Sequence, residues 1–161
     1  MNSNIKDIYG LTPAQKGIYA QYCQDTDTKS YQLQSLCKIN KNADLDILKK
    51  SVELLSVRHQ VLKTAFTVLK STGAIKQVIL ENRVPKFTLF SQDNLFSQDA
   101  LERILEETTQ ATLDLQRDSL FQVVIIDFID QRFMFIHSHH IIIDGWCLPV
   151  IIEDLQKYYG K

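Results

Sequence analysis

Three of the four histidines fall at positions 137, 139 and 140, in the run His137-Ser138-His139-His140-Ile141-Ile142-Ile143-Asp144-Gly145-Trp146. Imidazole titrates near about pH 6.5, so it can accept or donate a proton at neutral pH, and its neutral ring also ligates metals. The run follows a strongly apolar stretch. Period-two alternation in a strand then sends His137 and His139 to one face and Ser138 and His140 to the other, so the three rings do not converge without a bend. Gly145 permits a tight turn between this loop and a following helix, which would leave His140 at a strand end, where chemistry is often placed.

The residues alone support two readings. In the first, adjacent histidines are satisfied polar groups at a strand terminus, as buried polar groups generally are. In the second they bind metal, since His-x-His on a strand is a zinc-ligand spacing. A catalytic zinc needs a third ligand, however, and His59 is the one other histidine available. The metallo-hydrolase pattern His-x-His-x-Asp-His also fails, because Ile141 stands where its Asp would be. No metal site is assigned.

The elements that must hold this loop are legible as patterns. Thr12-Pro13-Ala14-Gln15 combines an N-cap hydroxyl, proline at the first helical position and Gln three residues on, so a helix starts there, with Ile18 and Tyr22 on one face. A polar loop over Asp25 to Lys29 and a strand over Tyr31 to Ile39 follow. Asp44 opens a helix carrying Leu45, Leu48, Val52 and Leu55 as an amphipathic stripe, running to about Arg58 or His59. Thr64 to Leu69 and Ile75 to Leu80 flank Ser71-Thr72-Gly73 as a hairpin, and Phe87 to Phe90 adds a short strand. Ser97 caps a helix with Leu101, Ile104, Leu105 and Thr108 on one side. Leu120 to Phe128 and Arg132 to Ser138 are almost continuously apolar around Asp130-Gln131, the pattern of a central hairpin covered on both faces. A last helix carries Ile151, Leu155 and Tyr158, with Pro149 tolerated in its first turn. Helices and strands are intermixed, so the class is α/β or α+β.

Composition bounds the function. The 161 residues make one domain or part of a larger one; 45% hydrophobic and 23% charged residues fit a globular chain rather than a disordered or coiled-coil one. Eighteen Lys and Arg against nineteen Asp and Glu give a net charge of -1, which supplies no broad footprint for nucleic acid or an anionic membrane. No run approaches a membrane span and the first ten residues lack a signal-peptide core, so a cytoplasmic protein is expected. Cys23, Cys37 and Cys147 fit neither a disulfide framework nor a CxxC zinc site and are expected to be reduced and mostly buried. No internal repeat, linker or domain boundary is evident.

A third reading of the histidine run comes from resemblance. His139-His140-x-x-x-Asp144-Gly145 resembles the HHxxxDG signature of nonribosomal peptide synthetase condensation domains, shared more loosely with chloramphenicol-acetyltransferase-like acyltransferases. Arg58-His59-Gln60-Val61-Leu62-Lys63-Thr64-Ala65-Phe66 resembles the family's RHExLRTxF segment, with Gln60 for Glu and Lys63 for Arg. Thr12 to Tyr19 resembles its opening SxAQxR(L/M)(W/Y) motif, with Thr12 for Ser and Gly17 for Arg. The three motifs stand in the family's order and approximate spacing. Gly145-Trp146-Cys147 is similar to the DGWS form except at Cys147, which favours condensation over epimerization.

The resemblance implies an acetyltransferase-like half, a mixed sheet with helices packed on it. Residues 1–161 would be the N-terminal lobe of a condensation domain whose C-terminal lobe is absent. The implied reaction is amide formation, in which the amine of an acceptor aminoacyl group attacks a donor thioester carbonyl. Both substrates ride on phosphopantetheine arms of carrier proteins, and this lobe itself binds no cofactor. The resemblance implies that His140 handles the proton or hydrogen bonds the amine, and that the Gly145 backbone lies beside the reacting centre. His139 would be buried with a backbone hydrogen bond. Asp144 would pair with Arg58, holding the loop against the second helix, and Trp146 would more readily belong to the core than line the donor side. Implied partners are the carrier proteins, the second lobe and an adenylation domain. The chain alone would be inactive, and an uncovered apolar patch near the last helix or a sheet edge would favour self-association. A stand-alone acyltransferase using a small acyl thioester, and a non-catalytic carrier-docking module, are the alternatives.

Overall fold

The computed structural model describes residues 5–25 and 29–161. In chain order these form β1 (Ile5–Gly10), α1 (Pro13–Gln24), β2 (Gln32–Ile39), α2 (Leu45–Arg58), a 3-10 turn (Gln60–Lys63), β3 (Thr64–Val68), β4 (Ile75–Leu80), β5 (Lys86–Ser91), α3 (Gln98–Thr109), β6 (Phe121–Asp127), β7 (Arg132–His139) and α4 (Leu148–Tyr159). The polar loop expected over residues 25–29 lies largely outside the described residues.

Helix starts follow the side-chain chemistry. Thr12 Oγ1 accepts from Gln15 N at 3.2 Å while Gln15 Oε1 accepts from Thr12 N at 2.9 Å, a reciprocal capping box that satisfies two amides with no intrahelical partner. Asp44 Oδ1 accepts from Asp46 N and Ile47 N at the head of α2. Ser97 does the same for Ala100 N at the head of α3.

Two sheets result. The larger has the order β2-β7-β6-β5, antiparallel except for the parallel β5–β6 pair, and the smaller has the order β1-β4-β3. Strands β6 and β7 are interior, which explains their near-continuous apolar sequence: every residue of β7 from Arg132 to His139 is buried. One face of this sheet, with Val123, Ile125, Met134 and Ile136, packs into a core shared with α2 and α4 through Val52, Leu55, Ile151 and Leu155. The other face, with Val124, Ile126, Phe133 and Phe135, is covered by Leu101 and Ile104 of α3. The fold is therefore the expected mixed sheet with helices packed on it.

Two expectations need correction, and one strand carries no sequence pattern. In β1 the apolar residues Ile5, Ile8 and Tyr9 do not alternate and remain exposed, so backbone pairing with β4 holds it rather than burial. Trp146 is not core: it is 89% exposed, in the turn before α4. Cys23, Cys37 and Cys147 are free thiols, but all three are exposed. Cys23 lies at the polar end of α1, Cys37 on the edge strand β2 and Cys147 in the turn before α4, three places the cores do not cover.

The packing predicts unequal responses on one helix. Leu55→Ala removes a side chain with no exposed surface and should cost about 2 to 5 kcal/mol, whereas Val57→Ala, at a position 67% exposed, should stay within about 0.5 kcal/mol. Chemical denaturation of the two variants checks this.

Candidate active site

Strand β7 delivers the histidine run to the edge of the core. His137 and His139 face the same way and are buried, as alternation requires, and His140 is the first exposed residue after the strand. His137 Nε2 donates to Gln32 Oε1 across the β2–β7 pair at 2.7 Å, and its ring stacks on Phe135 with centroids 6.2 Å apart. Burial lowers the His137 pKa.

His139 is tied into the loop it opens. Its Nδ1 accepts from Ile141 N at 3.1 Å, so the ring proton sits on Nε2. Its ring also stacks near Tyr31, with centroids 6.4 Å apart. Burial, reinforced by the neighbouring His140 and His137, pushes its pKa down to about 4, so it is neutral near pH 7.

The backbone about His140 is held on both sides. His139 N donates to the Leu120 carbonyl at 2.9 Å, His140 N to the Tyr31 carbonyl at 2.7 Å, and Ile142 N to the His139 carbonyl at 3.1 Å. From α1, Gln15 Nε2 donates to the Ile141 carbonyl at 3.2 Å. The His140 ring itself makes no hydrogen bond among the described residues, and it is presented to solvent at the strand end. That is the arrangement of a positioned side chain free to meet a ligand.

Asp144 and Arg58 are not partners, contrary to expectation. Asp144 turns back on its own segment: Oδ1 accepts from Cys147 N at 2.9 Å, and hydrogen bonds from Cys147 hold its carboxyl below the usual carboxylate range. Arg58 instead reaches Asp154 of α4, ten residues beyond Asp144, where its Nε donates to Asp154 Oδ2 at 2.6 Å. His59 Nε2 meets the same oxygen at 2.7 Å and is the leading cause of Asp154's lowered pKa, followed by Arg58 and Lys157. The Arg58-His59 segment therefore does clamp the last helix to α2, but through Asp154. A signal was available: Asp154 falls at i+3 of the Ile151, Leu155 and Tyr158 stripe, a carboxylate in a core-facing position that required a partner.

Gly145 needs no special backbone, because among the described glycines only Gly73 has positive φ. A Cβ built at Gly145 would meet nothing within 4 Å, so the described fold would tolerate a side chain there. Among the described residues no group of three or more His, Cys, Asp or Glu could hold a metal ion, and no helix is long and apolar enough to cross a membrane.

The comparisons with known proteins agree with the motifs. Residues 5–161 match the Condensation domain family, and the chain belongs to it. It is 30% identical to bacitracin synthase 1 of Bacillus licheniformis over 161 residues, covering 98% of this chain and 3% of that one. To tyrocidine synthase 3 of Brevibacillus parabrevis it is 32% identical over 159 residues, covering 98% and 2%. Among solved structures, the starter condensation domain of rhizomide synthetase superposes with a TM-score of 0.82 at 17% identity, covering 96% of this chain and 39% of that one. The epimerization domain of the third module of tyrocidine synthetase B gives 0.81 at 21% identity, covering 99% and 36%. The chain thus spans a few per cent of these curated relatives and less than two fifths of these solved chains.

Two predictions follow from the electrostatics. Arg58→Ala and Asp154→Ala should each lower the unfolding midpoint and together lower it by less than their sum, while Arg58→Ala with Asp144→Ala should be additive; a double-mutant cycle reads both. The second concerns acid. The folded His139 titrates at about 4 against an ordinary 6.5, so the unfolded chain binds the extra proton between those values and stability falls as pH drops through that window. His139→Asn keeps an acceptor for Ile141 N and should flatten the decline by up to about 1.4 kcal/mol per pH unit, the slope for one proton. Urea unfolding at pH 7, 6 and 5 checks it.

Proposed function

We propose that this chain is the N-terminal lobe of a condensation domain that forms peptide bonds in nonribosomal synthesis, with His140 as its catalytic side chain. The observation that carries the reading is the division of labour at the end of β7. His139 is buried, neutral and hydrogen-bonded to the loop, whereas His140 is exposed on a backbone held from both sides. Membership of the Condensation domain family supplies the reaction class.

The chemistry asks little of the protein beyond placement. A neutral acceptor amine attacks the donor thioester carbonyl; the new C–N bond forms, the C–S bond breaks, and one proton passes from nitrogen to the departing sulfur. The His140 imidazole either takes that proton or accepts a hydrogen bond from the attacking amine. The open space around Gly145 leaves room for a substrate main chain to approach the loop there. Asp144 shapes the turn into α4, and Arg58 acts at a distance by holding α4 through Asp154. The acyl groups arrive on the phosphopantetheine arms of carrier proteins, and this lobe itself holds no cofactor.

The second lobe, carrier proteins and an adenylation domain are the partners this reading requires. An apolar groove of about 450 Å³ lies where edge strand β2 meets α2 and α4, lined by Cys37, Ile39, Leu48, Met134, Ile152 and Leu155. It supports the expectation that the isolated chain self-associates.

The test is His140→Ala in the complete two-lobed domain, with donor- and acceptor-loaded carrier proteins and dipeptidyl product followed by mass spectrometry. The expected result is a fall of about 10² to 10⁴ in rate, with folding and carrier binding retained. The 161-residue chain alone, run beside it, should make no product. Unimpaired condensation by the variant would exclude His140 as the catalytic group.

A further inference from the structure

Gln15 does more than cap a helix. Its carboxamide has one acceptor oxygen and two N–H donors, and all three are engaged on three different elements. Oε1 accepts from Thr12 N at 2.9 Å at the head of α1. Nε2 donates to Gln77 Oε1 on β4 at 3.2 Å and to the Ile141 carbonyl, one residue past His140, also at 3.2 Å. Gln77 is oriented in turn, because its own Nε2 donates to the Gly10 carbonyl at 3.1 Å. Reversing the Gln15 amide would set its NH₂ against Thr12 N–H and its oxygen against two other oxygens. The observed orientation is the one that satisfies every partner.

We propose that Gln15 is a positioning residue for His140, tying the catalytic loop to α1 and the smaller sheet; the proposal rests on the function given above. Three successive peptide groups define where the His140 side chain points. The first is held by the bond from His140 N to Tyr31 and the second by the bond from Ile141 N to the His139 ring. The third, between Ile141 and Ile142, has its carbonyl held by Gln15 and its amide by the His139 carbonyl. Among the described residues, Gln15 therefore supplies the one side-chain anchor that reaches this loop from outside the larger sheet. Capping alone does not call for a Gln. A Glu at this position would accept from Thr12 N equally well and would gain from the helix dipole. What Glu lacks are the N–H groups directed at Ile141 and at Gln77.

That difference makes the experiment. In the complete domain, Gln15→Glu keeps the capping box and removes the donors to the Ile141 carbonyl and to Gln77, whereas Thr12→Ala removes the hydroxyl cap and leaves both donors in place. Gln15→Glu should lower the unfolding midpoint no more than Thr12→Ala does, leave the KM for the acceptor carrier nearly unchanged and lower kcat about 10-fold or more, because small displacements of a catalytic group carry large rate costs. Thr12→Ala should lower the midpoint and spare kcat. In the 161-residue chain, the ¹³C shift of the Ile141 carbonyl and the ¹⁵N shift of Ile142 should move in Gln15→Glu and stay put in Thr12→Ala. Wild-type kcat in Gln15→Glu, or an equal kcat loss in Thr12→Ala, would overturn the positioning role. His140→Ala serves as the control: if it also turns over normally, the functional reading falls and this proposal with it, whereas an inactive control beside a fully active Gln15→Glu removes the positioning role alone.

Discussion

The structure depends on the complete burial of one strand. Strand β7 lies between β2 and β6, and each of its eight residues is buried, including Arg132, His137, Ser138 and His139. A strand covered on both faces has its register set strongly by its neighbours. The point where cover ends is thereby set too, and it falls between His139 and His140. Two adjacent residues of one type acquire different environments because the strand ends between them, and the chain returns to the core only at Ile141, Ile142 and Ile143.

The polar members of that strand determine what must surround it. Arg132 is held at the far end by a bidentate pair with Asp127, at 2.9 and 2.8 Å, and by the Ala43 carbonyl at 2.7 Å. Arg132 is also the leading cause of the lowered Asp127 pKa, and Lys41 joins the same carboxylate. At the near end, His137 takes Gln32 and His139 takes Ile141 N. An unpaired polar group in such surroundings would cost free energy comparable to a lost hydrogen bond or more, so each partner is part of the reason the strand can be buried at all.

The sequence showed those features that depend on local pattern. Cap residues, amphipathic stripes and the apolar β6–β7 hairpin declare themselves within a dozen positions, and the order of the three motifs was enough to suggest the family. Less legible was which distant side chains meet. Asp144 and Asp154 are both acidic residues close to the last helix; only the fold shows that Asp144 serves its own turn while Asp154 faces the end of α2. Trp146 shows the same limit from the other side. It was expected more readily in the core than on the donor side, but the turn from Asp144 to Cys147 carries it away from both cores. Strand β1 was invisible because its stability comes from backbone pairing, which leaves little trace in side-chain type.

The adjacent histidines also bear on each other electrostatically. An imidazolium beside His140 would make proton acceptance there harder, since a like charge disfavours the cationic form. Burial of His139 removes that difficulty: with its pKa near 4, the ring remains neutral wherever an acceptor amine has appreciable free base. Its Nδ1 lone pair is then available to hold Ile141 N, a bond that protonation at Nδ1 would break. The same desolvation that costs the fold stability in acid thus keeps the loop geometry and the local charge constant near neutral pH. A buried first histidine and an exposed second one are complementary consequences of where β7 ends.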